Sequence, residues 1–259
     1  MFSQITAFHK IVLFSALLFL AACNSANDKK AEQPPLSESE KHDPANAVRG
    51  LTVADSLQVQ LFAHEPMLTN PTNMDIDEKG RVWICEGYNY RNQVNPQDPY
   101  RKEGDRIVMM EDTDGDGVAD KETTFYQGTD VDAALGIAVL GNKVIVSCSP
   151  NVFVFTDVDG DGKADKKDTL FTAIGGHQHD HAVHSFNCGP DGKLYFNFGN
   201  EGHSIRDKHG KEIIDMAGNV VNNTGHPYRQ GMVFRCNPDG SDFEVLGNNF
   251  RNNYEVAED

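Results

Sequence analysis

Four histidines, His177, His179, His181 and His184, fall within eight residues of a chain that contains ten in all. Imidazole changes charge nearest neutral pH, so such a cluster suits metal ligation or general-base work. His177, His179 and His181 alternate, and on an extended chain they would share one face. A second chemistry is written in carboxylates. Asp112, Asp114, Asp116 and Asp120 stand at D-x-D-x-D-G-x-x-D spacing, and Asp157, Asp159, Asp161 and Asp165 repeat it 45 residues later. Alternating carboxylates around a glycine turn supply the oxygen ligands that calcium requires, and without a cation they would repel one another. Position twelve holds Thr123 in one loop and Asp168 in the other, where a helix-flanked calcium loop has glutamate. The expectation is calcium pinning two hairpins.

The segments around these loops nearly superimpose. IVMMEDTDGDGVADKETTF (107–125) and VFVFTDVDGDGKADKKDTLF (152–171) are each a strand-like run, an acidic loop and a second strand-like run. GMVFRCNPDGSDFEVLG (231–247) keeps that shape with a Pro-Asp-Gly-Ser turn. Ahead of each lies another hairpin pattern, at 73–87, 135–149 and 184–199, with turns DEKG, LGNK and GPDG. Two hairpins per unit, repeated every 50 to 60 residues, predict an all-β chain of β-propeller blades. Three blades are legible, NNYEVAED reads as the opening strand of a fourth, and a closed propeller needs four to eight. The pattern therefore predicts part of a larger ring over 51–259.

A formal charge of −16 offers no basic patch for nucleic acid. Lys10, the apolar run 11–22 and Leu20-Ala21-Ala22-Cys23 resemble a bacterial lipoprotein signal. That resemblance implies cleavage after 1–22, a lipid on Cys23, and a polar tether over 23–50 holding the domain outside the cytoplasm, in the periplasm or on the outer membrane. Cys85, Cys148, Cys188 and Cys236 show no C-x-x-C spacing, and their pairing is left open. Trp83 reads as core. His226 and Tyr228, in the long 200–230 insertion, are candidate pocket residues, and His203 and His209 read as exposed.

The run Asp180-His181-Ala182-Val183-His184-Ser185-Phe186, followed by Cys188-Gly189-Pro190-Asp191-Gly192-Lys193-Leu194-Tyr195, resembles the soluble quinoprotein glucose/aldose-sugar dehydrogenases. Those are six-bladed propellers that bind pyrroloquinoline quinone and calcium. Alignment on Gly189-Pro190-Asp191-Gly192 places the family's catalytic histidine on His181, with Asp180 beside it. The family's Gly-Arg positions hold His184 and Ser185 here. Arg251 and Asn252 match the first two residues of its R-N-P-Q-G quinone loop, with Asn253-Tyr254-Glu255 in place of the rest. Glu86-Gly87 resembles its T-E-R-x-G turn. Over 50–259 the chain is also similar to the "membrane-bound dehydrogenase" group of planctomycetes, verrucomicrobia and Bacteroidetes, in which a cytochrome c segment follows the propeller.

These resemblances imply an oxidoreductase acting on a sugar or another alcohol. His181 would be general base, oriented by Asp180, and Arg251, Asn252 and Glu86 would hold the quinone. A different class remains open: a non-catalytic, calcium-stabilised propeller that binds glycan or protein. HQHDH is one residue short of the H-x-H-x-D-H motif of metallo-β-lactamase-like hydrolases, which makes a zinc hydrolase the third reading.

Overall fold

The computed structural model describes residues 34–92, 95–175 and 179–257. Cys23, the signal-like segment and His177 lie outside the described residues, as does the side chain of His179. The chain divides into two units, Met1–Asp43 and Pro44–Asp259. In the first, where the composition predicts a tether, one helical turn forms, α1 (Glu38–Lys41). Ser37 caps it: Glu40 Oε2 accepts from the Ser37 backbone N–H at 2.8 Å, and Ser37 Oγ accepts from Glu40 N–H at 3.4 Å. None of its residues is buried, and Lys41 Nζ pairs with Glu38 Oε1 at 2.6 Å, so local interactions hold the turn.

The second unit is built from antiparallel sheets in sequence order. The first contains β1 (Pro71–Ile76), β2 (Val82–Glu86), β3 (Asp105–Glu111) and β4 (Lys121–Gly128), paired 1-2-3-4. The second contains β5 (Gly136–Leu140), β6 (Lys143–Cys148), β7 (Asn151–Thr156) and β8 (Lys166–Thr172). The third contains β9 (Val183–Cys188), β10 (Leu194–Phe198), β12 (Gly231–Cys236) and β13 (Glu244–Phe250). All six expected hairpins form. One strand was not expected: β11 (Arg206–Asp207), from the 200–230 insertion, pairs with β8 and makes the second sheet five-stranded.

The turns follow local chemistry. In DEKG, Asp77 Oδ1 accepts from Lys79 and Arg81 backbone N–H groups at 2.9 and 3.0 Å while Gly80 takes φ +78°. The middle strands β2 and β6 are buried on both faces. Alternate residues therefore face opposite neighbours. Trp83, Cys85, Ile107 and Met109 pack with Val144, Val146 and Phe155 of the second sheet, whereas Val82, Ile84, Val108 and Met110 face the other way. Between the second and third sheets Phe196 is ringed by Phe171, Phe186, Phe234 and Phe243, with centroids 5.0 to 5.9 Å away.

The first strands of the three sheets lie against one another, β1 on β5 and β5 on β9, without pairing. Asn73 Nδ2 donates to Leu135 O at 3.1 Å, and Thr72 Oγ1 donates to Ala134 O. Gly136 permits this approach, since a Cβ there would sit 1.9 Å from His184 O. The expected opening strand of a fourth blade does not form. Residues 251–257 instead run across β9 towards β1: Asn187 Nδ2 donates to Val256 O, and Tyr254 Oη donates to Thr72 O at 2.7 Å. Among the described residues no further hairpin pairs with this segment, and its polar groups bond to the first strands.

Trp83 is core, 3% exposed, with Phe125 edge-on at 5.0 Å. Its indole N–H donates to buried Asp77 Oδ2 at 2.9 Å. Trp83→Phe keeps the packing but removes that donor to a carboxylate, and is expected to cost about 2 kcal/mol in urea unfolding. An unchanged midpoint and slope would refute the bond's contribution.

Candidate functional site

The site is assembled where three connections meet: the 179–181 turn before β9, the 199–202 turn after β10, and the segment after β13. His181 closes a 3-10 turn, His179–His181, and is 8% exposed. Its Nδ1 lies 2.8 Å from Asn200 Oδ1. Since that oxygen can only accept, Nδ1 donates to it, and in the neutral ring this tautomer leaves the lone pair on Nε2. No partner approaches Nε2 among the described residues. Asn200 is itself held three ways. Its N–H donates to Arg251 O at 2.7 Å, its carbonyl accepts from Asn223 Nδ2 at 3.1 Å, and its side-chain amide reaches Glu201 Oε1 at 3.5 Å. The 200–230 insertion thus supports the residue that orients His181.

Asp180 does not orient His181, in contrast to the expectation. Successive side chains diverge on a 3-10 turn, and the Asp180 carboxylate meets Arg91 Nη2 at 2.7 Å. Burial pushes its carboxyl up, but its own backbone N–H and the Arg91 guanidinium outweigh that and hold it below the ordinary carboxylate range. The Asp180 carbonyl accepts from Asn252 Nδ2 at 3.4 Å and faces His184 Nε2 at 2.8 Å. His184 is fully buried, with Nδ1 2.9 Å from Asn253 O and its ring stacked on Tyr254 at 4.9 Å. It ties the histidine turn to the 251–254 segment, and its ring is not open to a ligand.

Asn252 therefore reaches Asp180, and Gly199 leaves room for it: a Cβ there would lie 2.4 Å from Asn252 Oδ1 and 2.7 Å from His181 O. Asn252 Oδ1 is buried with no donor. The Arg251 backbone is fixed by Asn200, while its guanidinium is exposed and forms no hydrogen bond or ion pair among the described residues.

Glu86 is placed differently. It ends β2 fully buried, and its two oxygens accept from Arg106 Nη2 (2.6 Å), Arg106 Nε (2.9 Å), Arg101 Nη1 (2.5 Å) and Thr69 N–H (2.9 Å). Burial pushes its carboxyl up, yet Arg106 and Arg101 outweigh this and keep it below the usual range. All its lone pairs point at these partners, so the arrangement serves the 87–104 connection rather than a ligand. That connection carries Arg91. It is secured by Asp105, fully buried, which accepts from Asn89 N–H at 3.1 Å and Ala133 N–H at 2.8 Å. Burial raises the Asp105 carboxyl.

Both acidic loops adopt one turn. Asp112 accepts from Gly115 and Gly117 N–H, and Asp157 from Gly160 and Gly162 N–H, at 2.6 to 3.0 Å. The four glycines take φ between +82° and +86°. Ligand atoms of Asp112, Asp114 and Asp116 lie within 4.8 Å of one another, as do those of Asp157, Asp159 and Asp165. Asp120 and Asp161 stand outside these triplets; Asp120 accepts from Thr113 Oγ1 at 2.7 Å, and the Asp161 carboxylate accepts from Lys163 N–H at 2.9 Å.

The remaining candidates serve the frame. Tyr228 packs on the third sheet and donates to Asp215. His226, His203 and His209 are exposed. Cys85, Cys148 and Cys236 are buried thiols; burial pushes Cys148 and Cys236 up to about 12, and Cys85 up as well, so none is a ready nucleophile. Asn200 and Arg91 were missed from the sequence. Their only signals are a polar residue after the strand-ending Gly199 and an arginine in YNYRN, and neither spacing shows that they reach the histidine turn.

Among solved structures, the PQQ domain of pyranose dehydrogenase from Coprinopsis cinerea is similar over 74% of this chain and 41% of its own, at 18% identity and a TM-score of 0.49. A calcium-bound Family AA12 carbohydrate-active enzyme of Trichoderma reesei is similar over 78% and 58%, at 14% identity and a TM-score of 0.45. The chain thus spans about two fifths of the first structure's length. No curated protein matches it. A family model matches residues 43–259, almost the whole described region, and the chain belongs to that family, the domain of unknown function DUF7133.

Proposed function

We propose that this chain is part of an extracytoplasmic, quinoprotein-like dehydrogenase, a β-propeller that oxidises a sugar or another alcohol. The observation that supports it best is His181, its Nδ1 proton committed to Asn200 and its Nε2 open, beside an unengaged Arg251 guanidinium and an undonated Asn252 Oδ1. That donor set fits pyrroloquinoline quinone: a guanidinium for a carboxylate, and an acceptor for a ring N–H. When bound, the quinone supplies a two-electron acceptor for the hydride leaving the carbinol carbon. The protein's part is to take the hydroxyl proton at His181 Nε2. Asn200 holds the tautomer, the Arg91–Asp180 pair keeps the 87–104 connection over the histidine turn, and Arg251 anchors the carboxylate edge.

The direct test reconstitutes the complete protein with pyrroloquinoline quinone and calcium and follows dye reduction with a panel of sugars and alcohols. No cofactor binding sinks the dehydrogenase reading and leaves a glycan- or protein-binding propeller. Calcium is tested by itself. With calcium at about 100 times Kd, each loop would gain roughly 2.7 kcal/mol. A chelator should then lower the melting temperature by several degrees, and Asp112→Asn with Asp157→Asn should abolish the difference. A melting curve that ignores the chelator removes calcium.

Anchoring is the third element of the proposal. No helix among the described residues is long and apolar enough to cross a membrane. A lipid on Cys23 would hold the domain at the surface, and labelled palmitate should enter the native protein but not Cys23→Ser. Equal labelling of both discards the anchor.

A further inference from the structure

We propose that His184 is an imidazolium and a positioning residue for the candidate site. With both ring protons it clamps the segment bearing Arg251 and Asn252 onto the turn bearing His181, and loss of one proton opens the clamp. The charge state stands on geometry alone; its effect on a quinone rests on the redox reading.

Both ring nitrogens face oxygens that can only accept. Nδ1 lies 2.9 Å from Asn253 O and Nε2 lies 2.8 Å from Asp180 O, the distances of N–H donors to carbonyls. A neutral imidazole carries one N–H and an imidazolium two. In a neutral ring, one nitrogen would therefore turn its lone pair on a carbonyl oxygen at 2.8 or 2.9 Å. His184 is 0% exposed, so solvent cannot relieve that contact. The residue is also held in place at both ends. Its own carbonyl packs on Gly136, where a Cβ would lie 1.9 Å away, and accepts from Asn73 Nδ2 at 3.5 Å. Tyr254 stacks on the imidazole, with the two planes 19° apart.

The surroundings favour the extra charge. The two carbonyls present the negative ends of their dipoles, and the Tyr254 ring presents its π face. A formal charge of −16 over the whole chain adds a field that favours a buried cation. Tyr254 stays a neutral phenol: burial pushes it up, Glu255 and Cys85 add to this, and its Oη donates to Thr72 O at 2.7 Å. The 179–181 turn brings the Asp180 carboxylate, which Arg91 holds, and the His181 imidazole, which Asn200 holds. The segment after β13 brings Arg251 and Glu255. Among the described residues none of these side chains bonds to the His184 ring, so the two carbonyls decide whether the second proton is kept.

The neighbouring bonds show what the clamp holds. Asp180 O also accepts from Asn252 Nδ2 at 3.4 Å, and Arg251 O accepts from Asn200 N–H at 2.7 Å. Asn200 in turn faces His181 Nδ1. His184 is thus the buried link between the residues that would hold the quinone and the residue that would take the proton. The cation ties both connections; the neutral ring keeps one and repels the other.

The test is ring-nitrogen NMR of the complete, cofactor-free protein with labelled histidine, from about pH 5 upward until His184 loses a proton. The His184 signals are identified by their contact with Tyr254. We expect both nitrogens to carry protons at the acid end. Hydrogen exchange at the Asn200 amide, corrected for its intrinsic pH dependence, should then speed up roughly 10-fold or more as one proton leaves. His184→Phe keeps the stacking without the donors, and should exchange fast at every pH. A ring with a single proton at the acid end overturns the proposal, as does a proton loss that leaves the Asn200 amide protected. Where His184→Phe fails to fold, the native titration decides. Affinity for pyrroloquinoline quinone should weaken by a similar factor along the same titration. If no quinone binds at any pH, the dehydrogenase reading fails while the charge state of His184 is still decided by the spectra.

Discussion

His181→Ala is expected to lower kcat/KM of the complete, cofactor-loaded protein by about 10²–10⁴-fold, the span that a positioned general base contributes. The fall should appear in kcat, because the proton moves only as the carbinol carbon is oxidised. Asn200→Ala separates chemistry from scaffolding. It leaves the imidazole in place but removes the acceptor that fixes the proton on Nδ1, so the expected loss is smaller, about 10-fold or more, with an altered pH profile. Asn200→Asp should restore most of the rate, since a carboxylate also accepts from Nδ1. Dye reduction that survives His181→Ala would exclude this histidine as the base. A uniform loss of folding in all three variants, read by circular dichroism, would make Asn200 structural.

Glu86→Ala should destabilise the fold by about 3–5 kcal/mol, because it strands two guanidiniums around a buried carboxylate site. For a unit of this size that is roughly 6–20 °C in melting temperature. The pH dependence has a defined sign. The folded-state carboxyl lies below its ordinary value, so the unfolded chain binds the proton more tightly. The stabilisation is full above the unfolded carboxyl's range near 4.5 and is lost as pH falls towards the folded one. The alternative role, contact with a quinone, predicts a different result: Glu86→Gln would then spare the melting temperature and weaken cofactor binding. Thermal melts at pH 7 and at pH 4, with a cofactor titration, distinguish the two.

The hairpins were legible because strand signals are local. Alternation, a buried middle strand and a turn such as DEKG or GPDG each act within a few residues. The acidic loops were legible for the same reason: Asp112 and Asp157 bond to amides three and five residues on. The 251–257 segment defeated the reading, because whether it pairs depends on a neighbouring hairpin rather than on its own residues. Glu86 was drawn towards a ligand by the likeness of Glu86-Gly87 to a T-E-R-x-G turn. Its burial against Arg101 and Arg106, 15 and 20 residues away, was decided by the folded 87–104 connection.

Sequence alone determined the all-β class, the three repeats, the paired carboxylate turns and His181 as the imidazole most worth testing. The first three rest on contacts within one hairpin, and His181 on the resemblance that Gly189-Pro190-Asp191-Gly192 carries. Only the tertiary structure decided which groups meet that imidazole. Asn200 is 19 residues from His181, Arg91 is 89 from Asp180, and Asn252 is 72 from Asp180. Asn200 meets His181 across the open end of the β9–β10 hairpin, whereas the other two pairs are brought together by the pairing and stacking of separate hairpins, through approaches that Gly136 and Gly199 allow. No period or spacing along the chain encodes that stacking.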